Sequence, residues 1–306
     1  MKSKTTKLAI LFVTFSALLY AIGTPINKLL LAYFNPTMLS GLLYLGAGLG
    51  MTVIFLIQKI VKKTEKELPL EKKDIPFLAL MVALDVVANI GLMVGLTMTS
   101  AADVSLLSNF EIVVTSLFAL IIFKEVISPR LGIGIGFIFI ASILISIDFS
   151  AGFSISAGSL FVLLGCLAWG LENNITRKLS AKNPLQVTLV KGFGVGICSL
   201  LIAFLIGERI TNYGMAAATI GIGIVTYGVS IFCFISAQRH LGASKTSAFF
   251  ASAPFFGVLF SCLIFWTFPN YWFFIAIAIM ILGVYFVITE KRQRKKPPIE
   301  NIQSGD

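Results

Sequence analysis

Long apolar runs alternate with short polar segments along most of the 306 residues. The runs are about 20 residues long, which suffices to cross a hydrocarbon core about 30 Å thick. The alternating segments of about 10 residues that mark a membrane barrel do not occur. We therefore predict an all-α polytopic membrane protein with ten transmembrane helices, at residues 8–32, 36–58, 75–97, 101–123, 131–148, 156–176, 184–206, 214–237, 243–266 and 271–289.

Composition and charge agree with this prediction. Only 12% of the residues are charged and the mean hydropathy is +0.94, whereas a soluble domain has about 25% charged residues. Of the 24 Lys and Arg residues, 22 fall at the N-terminus, on alternate loops or in the tail, and only Lys28 and Arg209 fall on the other side. The positive-inside rule then places both termini in the cytoplasm, with the chain in the cell membrane. The net charge of +10 is a topology signal and does not indicate nucleic-acid binding.

The first apolar run could be taken for a signal peptide, because Lys2, Lys4 and Lys7 precede it. Its length and its similarity to the sixth apolar run favour a transmembrane helix that stays in the mature protein. The first run ends "LLYAIGTPINKLLLAYFNP" and the sixth ends "CLAWGLENNITRKLSAKNP". In each, an aromatic residue is followed eight residues later by a base and then by Asn-Pro.

A second parallel joins "TSAADVSLL" before the fourth run to "LGASKTSAFF" before the ninth. Each half would hold five helices, an odd number, so the second repeat would be inverted in the membrane. Inverted repeats place a binding site near the bilayer midplane, at the interface of the halves. The predicted domains are a first repeat, a second, inverted repeat and a basic cytoplasmic tail, at residues 1–150, 151–290 and 291–306.

These segments, together with "SAADVSLLSNFEIVVTSLFALIIFKE" and the Gly-rich helix after it, resemble the EamA repeat of the drug/metabolite transporter (DMT) superfamily over about residues 8–290. The resemblance implies ten helices around a central cavity, lined by helices one, three, four, six, eight and nine. It also implies transport of amino acids or other small metabolites, without a bound cofactor.

Two departures from the family pattern fall on the fourth helix of each repeat. In the first half "NFEIV" stands where the family places a proline, although the terminal glutamate is present as Glu125. In the second half Pro254 is present and the terminal glutamate is not. We expect the substrate pathway to be specialised on the side of the first half.

Ionisable residues inside the predicted helices are the candidate site residues, because a charge at mid-membrane costs about 2.5–3.5 kcal/mol. Asp85 lies near the midplane of the third helix, with Asn89 one turn later on the same face. Either the two residues hydrogen-bond to a neighbouring helix or they line a cavity. Glu111 lies similarly deep in the fourth helix, where Ser108 and Thr115 extend a polar stripe, and we favour a cavity role for it.

Glu172 interrupts the sixth helix together with Asn173 and Asn174. Because Glu172 lies in the cytoplasmic third, one interpretation is an ion pair with Lys191 or Arg177. The alternative is a vestibule open to the cytoplasm, in which Trp169 and Glu172 share a wall and both asparagines are exposed.

The aromatic candidates and the acids differ between the halves. Tyr20 and Trp169 are equivalent, and aromatic walls suit the apolar part of a zwitterion or organic cation. Alignment of the halves pairs Asp85 with Tyr227, Glu111 with Ala253, and Glu172 with Gly23. The scaffold repeats but the carboxylates do not, which favours a functional role for them.

The chain has few features of an enzyme. It contains one histidine, His240, four dispersed cysteines and no metal-ligand or nucleophile motif, so we predict neither catalysis, nor a metal, nor a cofactor. We predict a secondary transporter of a small metabolite, working by alternating access as a monomer or homodimer. The resemblance favours export, and protons are the candidate coupling ion. The alternatives are a facilitative uniporter or importer and, less favoured, a lipid scramblase.

Overall fold

The computed structural model describes residues 2–60, 68–123, 128–148, 154–241, 246, 249–250, 252–267, 269 and 271–289, nearly all of them helical. The helices are α1 (Lys2–Leu30), α2 (Pro36–Ile60), α3 (Ile75–Met98), α4 (Ala101–Leu107), α5 (Phe110–Phe123), α6 (Pro129–Ser146), α7 (Ala157–Leu179), α8 (Pro184–Leu205), α9 (Tyr213–Gly223), α10 (Ser230–Leu241), α11 (Ala253–Phe265) and α12 (Tyr271–Ile288). A 3-10 turn (Lys72–Asp74) precedes α3, and a π-helix (Ile224–Val229) joins α9 to α10. Strands β1 (Ile147–Asp148) and β2 (Ser154–Ile155) form a short antiparallel pair.

The protein is a polytopic membrane protein. Six helical stretches are long and apolar enough to cross a membrane: Lys7–Leu30, Pro36–Ile60, Lys72–Met98, Ala101–Phe118, Pro184–Leu205 and Tyr213–His240. Shorter apolar helices cover Gly132–Leu144, Ala253–Phe265 and Tyr271–Phe286. Each of the ten predicted spans contains a helix, but six meet the length and hydropathy criteria for crossing, so the count of ten stays a prediction.

The fourth predicted span, 101–123, is not one continuous helix. It is divided into α4 and α5 by a turn at Ser108–Asn109. There the backbone N–H of Asn109 donates to the Leu106 carbonyl at 3.2 Å. The backbone N–H of Glu111 donates to the Ser108 carbonyl, also at 3.2 Å. The Ser108 hydroxyl donates to the Val104 carbonyl at 2.8 Å, a local bond that competes with the helical ladder.

Three other spans also differ in detail from the sequence prediction. Span 131–148 ends as a helix at Ser146, and span 214–237 contains the π-helix. Within span 243–266, residues 243–245, 247–248 and 251 lie outside the described residues, as does the whole tail 291–306.

The two halves of the chain are packed into each other. Helix α2 packs chiefly on α8, and α3 packs chiefly on α7. Glycines bring the backbones of α2 and α8 together: a Cβ atom added to Gly192 would lie 2.4 Å from the Gly48 nitrogen. Close backbone approach at small residues is the usual way in which helices associate in lipid. The largest core cluster lies between these helices and includes Met38, Leu96 and Trp169.

Candidate functional site

A buried cluster of charges lies where α3, α7 and α8 meet. The ammonium of Lys191 (α8) lies 3.3 Å from Oδ2 of Asp85 (α3) and 3.2 Å from Oε1 of Glu172 (α7). Asp85 is fully buried, Glu172 is 2% exposed and Lys191 is 8% exposed. We call these three residues the buried triad. Its formal charge is −1 when both carboxylates are ionised.

Neutral side chains hold the two carboxylates of the buried triad in place. The indole Nε1 of Trp169 donates to Oδ1 of Asp85 at 2.7 Å, and the Thr176 hydroxyl donates to Oε1 of Glu172. The ion-pair interpretation of Glu172 therefore agrees with the structure, with Lys191 as the partner. The sequence placed Lys191 within the seventh predicted span as one of two possible partners of Glu172, and in the structure it is 8% exposed.

Glu111 lies apart from the buried triad, in the first turn of α5 just after the break. It is half-buried and accepts a hydrogen bond from the Asn173 amide of α7. In the part of the chain that the structure describes, Glu111 forms no ion pair. Asp85 and Glu172 thus share a base, whereas Glu111 has only an amide partner.

The vestibule interpretation predicted that Asn174 is exposed, and this is wrong. Asn174 is 4% exposed, and its amide donates to the Gly170 carbonyl at 2.8 Å and to the Thr115 carbonyl at 3.2 Å. Asn174 therefore joins α7 to α5 as a packing residue. The neighbouring Asn173 is half-buried and points instead to Glu111.

A second polar cluster surrounds Tyr227, in the π-helix. The Asn27 amide of α1 donates to the Tyr227 hydroxyl at 3.1 Å, and the Tyr44 ring packs edge-on against Tyr227 with centroids 5.0 Å apart. Asn89, predicted together with Asp85, is fully buried on the adjacent helix α3. Neither polar atom of the Asn89 side chain makes a hydrogen bond of good geometry with a described residue, although its amide lies close to the Tyr227 hydroxyl. Such unpaired groups are rare in native proteins and mark places where water or ligand completes the structure.

The predicted aromatic pair does form. The rings of Tyr20 and Trp169 meet edge-on with centroids 6.4 Å apart, and Phe250 lies 5.4 Å from Tyr20 on its other side. Since Trp169 also binds Asp85, this aromatic row connects the buried triad to α1.

Ser108 and Tyr20 line a small cavity between α1, α4 and α11, together with Thr24, Ser105, Pro254 and Gly257. The space in it that the centre of a water molecule can reach is only ≈ 10 Å³. Pockets for drug-sized ligands enclose about 300–1,000 Å³. The cavity therefore does not hold a metabolite in this conformation.

A second cluster of charges joins the segment before α3 to the loop between α7 and α8. Lys182, between α7 and α8, contacts Oε1 of Glu71 at 2.6 Å and Oδ2 of Asp74 at 3.1 Å. We call these three residues the loop triad. The hydrogen bonds from Lys182 and then Lys73 lower the pKa of Glu71 from 4.5 to about 2. The contacts of Lys182 with the two carboxylates raise the pKa of Lys182, and the hydrogen bond to Glu71 contributes most.

Sequence reasoning missed three features of the site. Asn27 was not predicted as a site residue, although it directly precedes Lys28 in the chain. The third member of the buried triad, Asp85, is 87 residues from Glu172 in the chain, so no local pattern joins them. The break at Ser108–Asn109 carries neither Pro nor Gly, the usual signals of a helix end. Among the described residues no group of three or more His, Cys, Asp or Glu side chains is placed to hold a metal.

Comparison with known proteins defines the class of this chain. It is 26% identical over 263 residues to an uncharacterized transporter of Methanothermobacter thermautotrophicus (81% of this chain, 77% of the relative). It is 25% identical over 240 residues to the uncharacterized transporter YyaM of Bacillus subtilis (74% of this chain, 76% of the relative). A solved crystal structure superposes with a TM-score of 0.65 at 15% identity, covering 91% of this chain and 94% of the other, which shows a shared fold.

These findings, with the apolar helices, indicate a multi-pass membrane transporter and not an enzyme. The profile of the EamA-like transporter family matches twice, over residues 7–147 and 156–289. The chain belongs to the EamA-like transporter family, as the resemblance implied.

Proposed function

We propose that this protein is a secondary active transporter that exports a small metabolite, such as an amino acid or amine, across the cytoplasmic membrane in exchange for protons. It works by alternating access, with ten helices in two inverted repeats and both termini in the cytoplasm. The family and the relatives support a transporter. Export is favoured by the family, and proton coupling rests on the acidic residues.

The observation that carries the proposal is the contrast between Glu111 and the other two buried acids. Asp85 and Glu172 both form an ion pair with Lys191, so we take the buried triad as a fixed anchor. Glu111 has no base as a partner within the described residues, and it lies at a break in the helix. Half-helix ends at the membrane midplane are where transporters place substrate and coupling ions. A carboxylate there without a base as partner can take up a proton or bind a substrate amine.

The test uses proteoliposomes that contain an internal pH dye, with a panel of amino acids and small amines added outside. The wild type should give a substrate-dependent pH change, and Glu111→Gln should abolish it. Asp103→Asn is the matched control, because Asp103 is a carboxylate on the neighbouring helix α4 whose partner is the Ser100 hydroxyl at 2.6 Å. That variant should keep the pH change.

Two outcomes would contradict this proposal. If a labelled member of the panel equilibrates without any pH change, the protein is a facilitative uniporter, the second candidate. If Glu111→Gln and the wild type move protons equally, coupling does not pass through Glu111.

A further inference from the structure

The central helices pack in two groups, and each group contains helices from both halves of the chain. Helix α1 packs chiefly on α10 and α11, whereas α3 packs chiefly on α7 and then on α8. We call the first set the α1 group (α1, α10 and α11) and the second set the α3 group (α3, α7 and α8). Alternating access requires packed groups of helices to separate at one end of the bundle at a time.

The side chain of Lys28 crosses from the α1 group to the α3 group. Lys28 lies in the last turn of α1, and its ammonium donates to the Leu96 carbonyl and, at 2.8 Å, to the Thr99 carbonyl. Leu96 lies in the last turn of α3, and Thr99 is the residue that caps this helix. The last carbonyls of a helix lack donors within it and carry partial negative charge. Lys28 therefore holds the end of α3 to the end of α1.

The link made by Lys28 has the properties of a contact that can open. Lys28 forms no ion pair with any residue that the structure describes, so its partners are neutral carbonyls. The side chain is also only half-buried. Water can therefore take the place of both carbonyls when the helix ends separate, and no unpaired buried charge is left behind.

The small cavity lies directly below this link. Thr24, four positions before Lys28 and thus on the same face of α1, lines the cavity together with Ser105 of α4. The two side chains are 7% and 3% exposed. Lys28 thus lies between the cavity and the end of the bundle that the charge pattern predicts to face outward.

A second hydrogen bond joins the same two groups at the predicted cytoplasmic end. The Arg239 guanidinium of α10 donates to the Lys182 carbonyl, in the loop between α7 and α8, at 3.0 Å. The two groups are therefore linked at both ends, which agrees with a cavity too small for a metabolite.

We propose that Lys28 is the outer gate of the transporter. Its hydrogen bonds to the Leu96 and Thr99 carbonyls hold the α1 group and the α3 group together, and these bonds break when the protein opens outward. The gate rests on the alternating access proposed above, but it depends neither on proton coupling nor on Glu111. Its test measures accessibility without substrate, so a failure of the gate can be told apart from a failure of proton-coupled export.

The test uses right-side-out vesicles and a membrane-impermeant methanethiosulfonate reagent added outside. Thr24→Cys supplies the reporter thiol, and mass spectrometry of its peptide distinguishes it from the native cysteines. Lys28→Met removes the donors while keeping a side chain of similar length. Since hydrogen bonds from a charged group are stronger than neutral ones, we expect Lys28→Met to speed modification of the reporter by about tenfold or more.

Arg209→Met is the matched control, because Arg209 is the other base on the predicted outer side. Its guanidinium donates to the Phe204 and Glu208 carbonyls of its own segment, at 3.0 and 2.9 Å, and links no helix groups. This variant should leave the rate of modification unchanged.

A second reporter separates opening of the gate from a general loss of packing. Thr188 is fully buried near the start of α8, toward the opposite end of the bundle. In inside-out vesicles, Lys28→Met should not speed modification of Thr188→Cys. The proposal is wrong if Lys28→Met leaves the Thr24→Cys rate unchanged, if Arg209→Met raises that rate equally, or if the Thr188→Cys rate rises with it.

Discussion

Two clusters of the same composition bridge the two halves of this protein in very different surroundings. In each, a lysine of the second half lies between two carboxylates: Lys191 with Asp85 and Glu172, and Lys182 with Glu71 and Asp74. The buried triad lies inside the helix bundle, with Asp85 fully buried. In the loop triad the Glu71 side chain is 47% exposed. Water reaches the second cluster mainly at Glu71, since the side chains of Asp74 and Lys182 are 12% and 13% exposed, whereas no side chain of the first cluster is more than 10% exposed.

The difference shows that an ion pair takes its importance from its environment. Removing one member of a buried pair leaves a charge without a partner in a medium that cannot solvate it, which is strongly destabilising. An exposed pair is screened by water and salt, and contributes little. The buried triad should therefore be essential for folding, and the loop triad should mainly tune behaviour with pH.

The largest effect is expected for Lys191→Met. Two buried carboxylates would lose their common base, so the free energy of unfolding should fall by about 3–5 kcal/mol. Thermal unfolding of the detergent-solubilised protein measures this. The triple variant with Asp85→Asn and Glu172→Gln as well should recover much of the loss, because no unpaired charge remains. Equal midpoints for Lys191→Met and the wild type would contradict the ion-pair geometry.

A smaller effect is expected from Gly192→Ala, which disturbs the position of Lys191 without changing its charge. The new Cβ atom would lie 2.4 Å from the Gly48 nitrogen, so α8 must move away from α2. Overpacking of this kind costs about 1–3 kcal/mol, measured again as a loss in thermal stability. Gly221→Ala is the control, since its Cβ atom meets nothing within 4 Å. If both variants are equally stable, the contact between α2 and α8 is looser than described.

The smallest effect is expected from Lys182→Met in the loop triad. Lys182 and then Lys73 lower the pKa of Glu71 from 4.5 to about 2. The contact with Lys182 should therefore stabilise the fold fully above pH 4.5 and progressively less as the pH falls toward 2. The wild type should be slightly more stable than the variant at pH 6, and the two should converge in acid. Thermal midpoints between pH 6 and pH 3 test this, and high salt should also remove the difference. A gap that widens in acid would contradict the sign of the pKa shift.

The two halves also differ in how they interrupt a helix. In the second half Pro254 lies in the first turn of α11. A proline at this position is a usual sign of a helix start and can be read from the sequence. In the first half the break at Ser108–Asn109 has no proline, and the sequence predicted one helix over 101–123. Hydropathy depends on the apolar side chains, which continue on both sides of the break. It does not detect a side chain that competes locally for backbone hydrogen bonds. The π-helix around Tyr227 escaped prediction for the same reason.

The candidate residues divide along similar lines. Glu172 and Lys191 are 19 residues apart, on consecutive helices, so their ion pair could be foreseen as one of two interpretations. Asp85 is on a distant helix, and its pairing with Trp169 and Lys191 depends on how α3 packs against α7 and α8. Asn89 and Asp85 share a helix face as predicted, but Asp85 contacts Trp169 and Lys191 whereas Asn89 lies beside Tyr227.

The sequence by itself determined the class of protein, because the lengths of its apolar runs match the thickness of a membrane and the order of its polar interruptions matches a known repeat. It also indicated the ionisable residues that need a reason to lie in the bilayer. Only the tertiary structure decided which carboxylates have a lysine as an ion-pair partner. Pairing depends on distances of about 3 Å between helices far apart in the chain, and these distances are set by glycine contacts and helix breaks that no local pattern encodes.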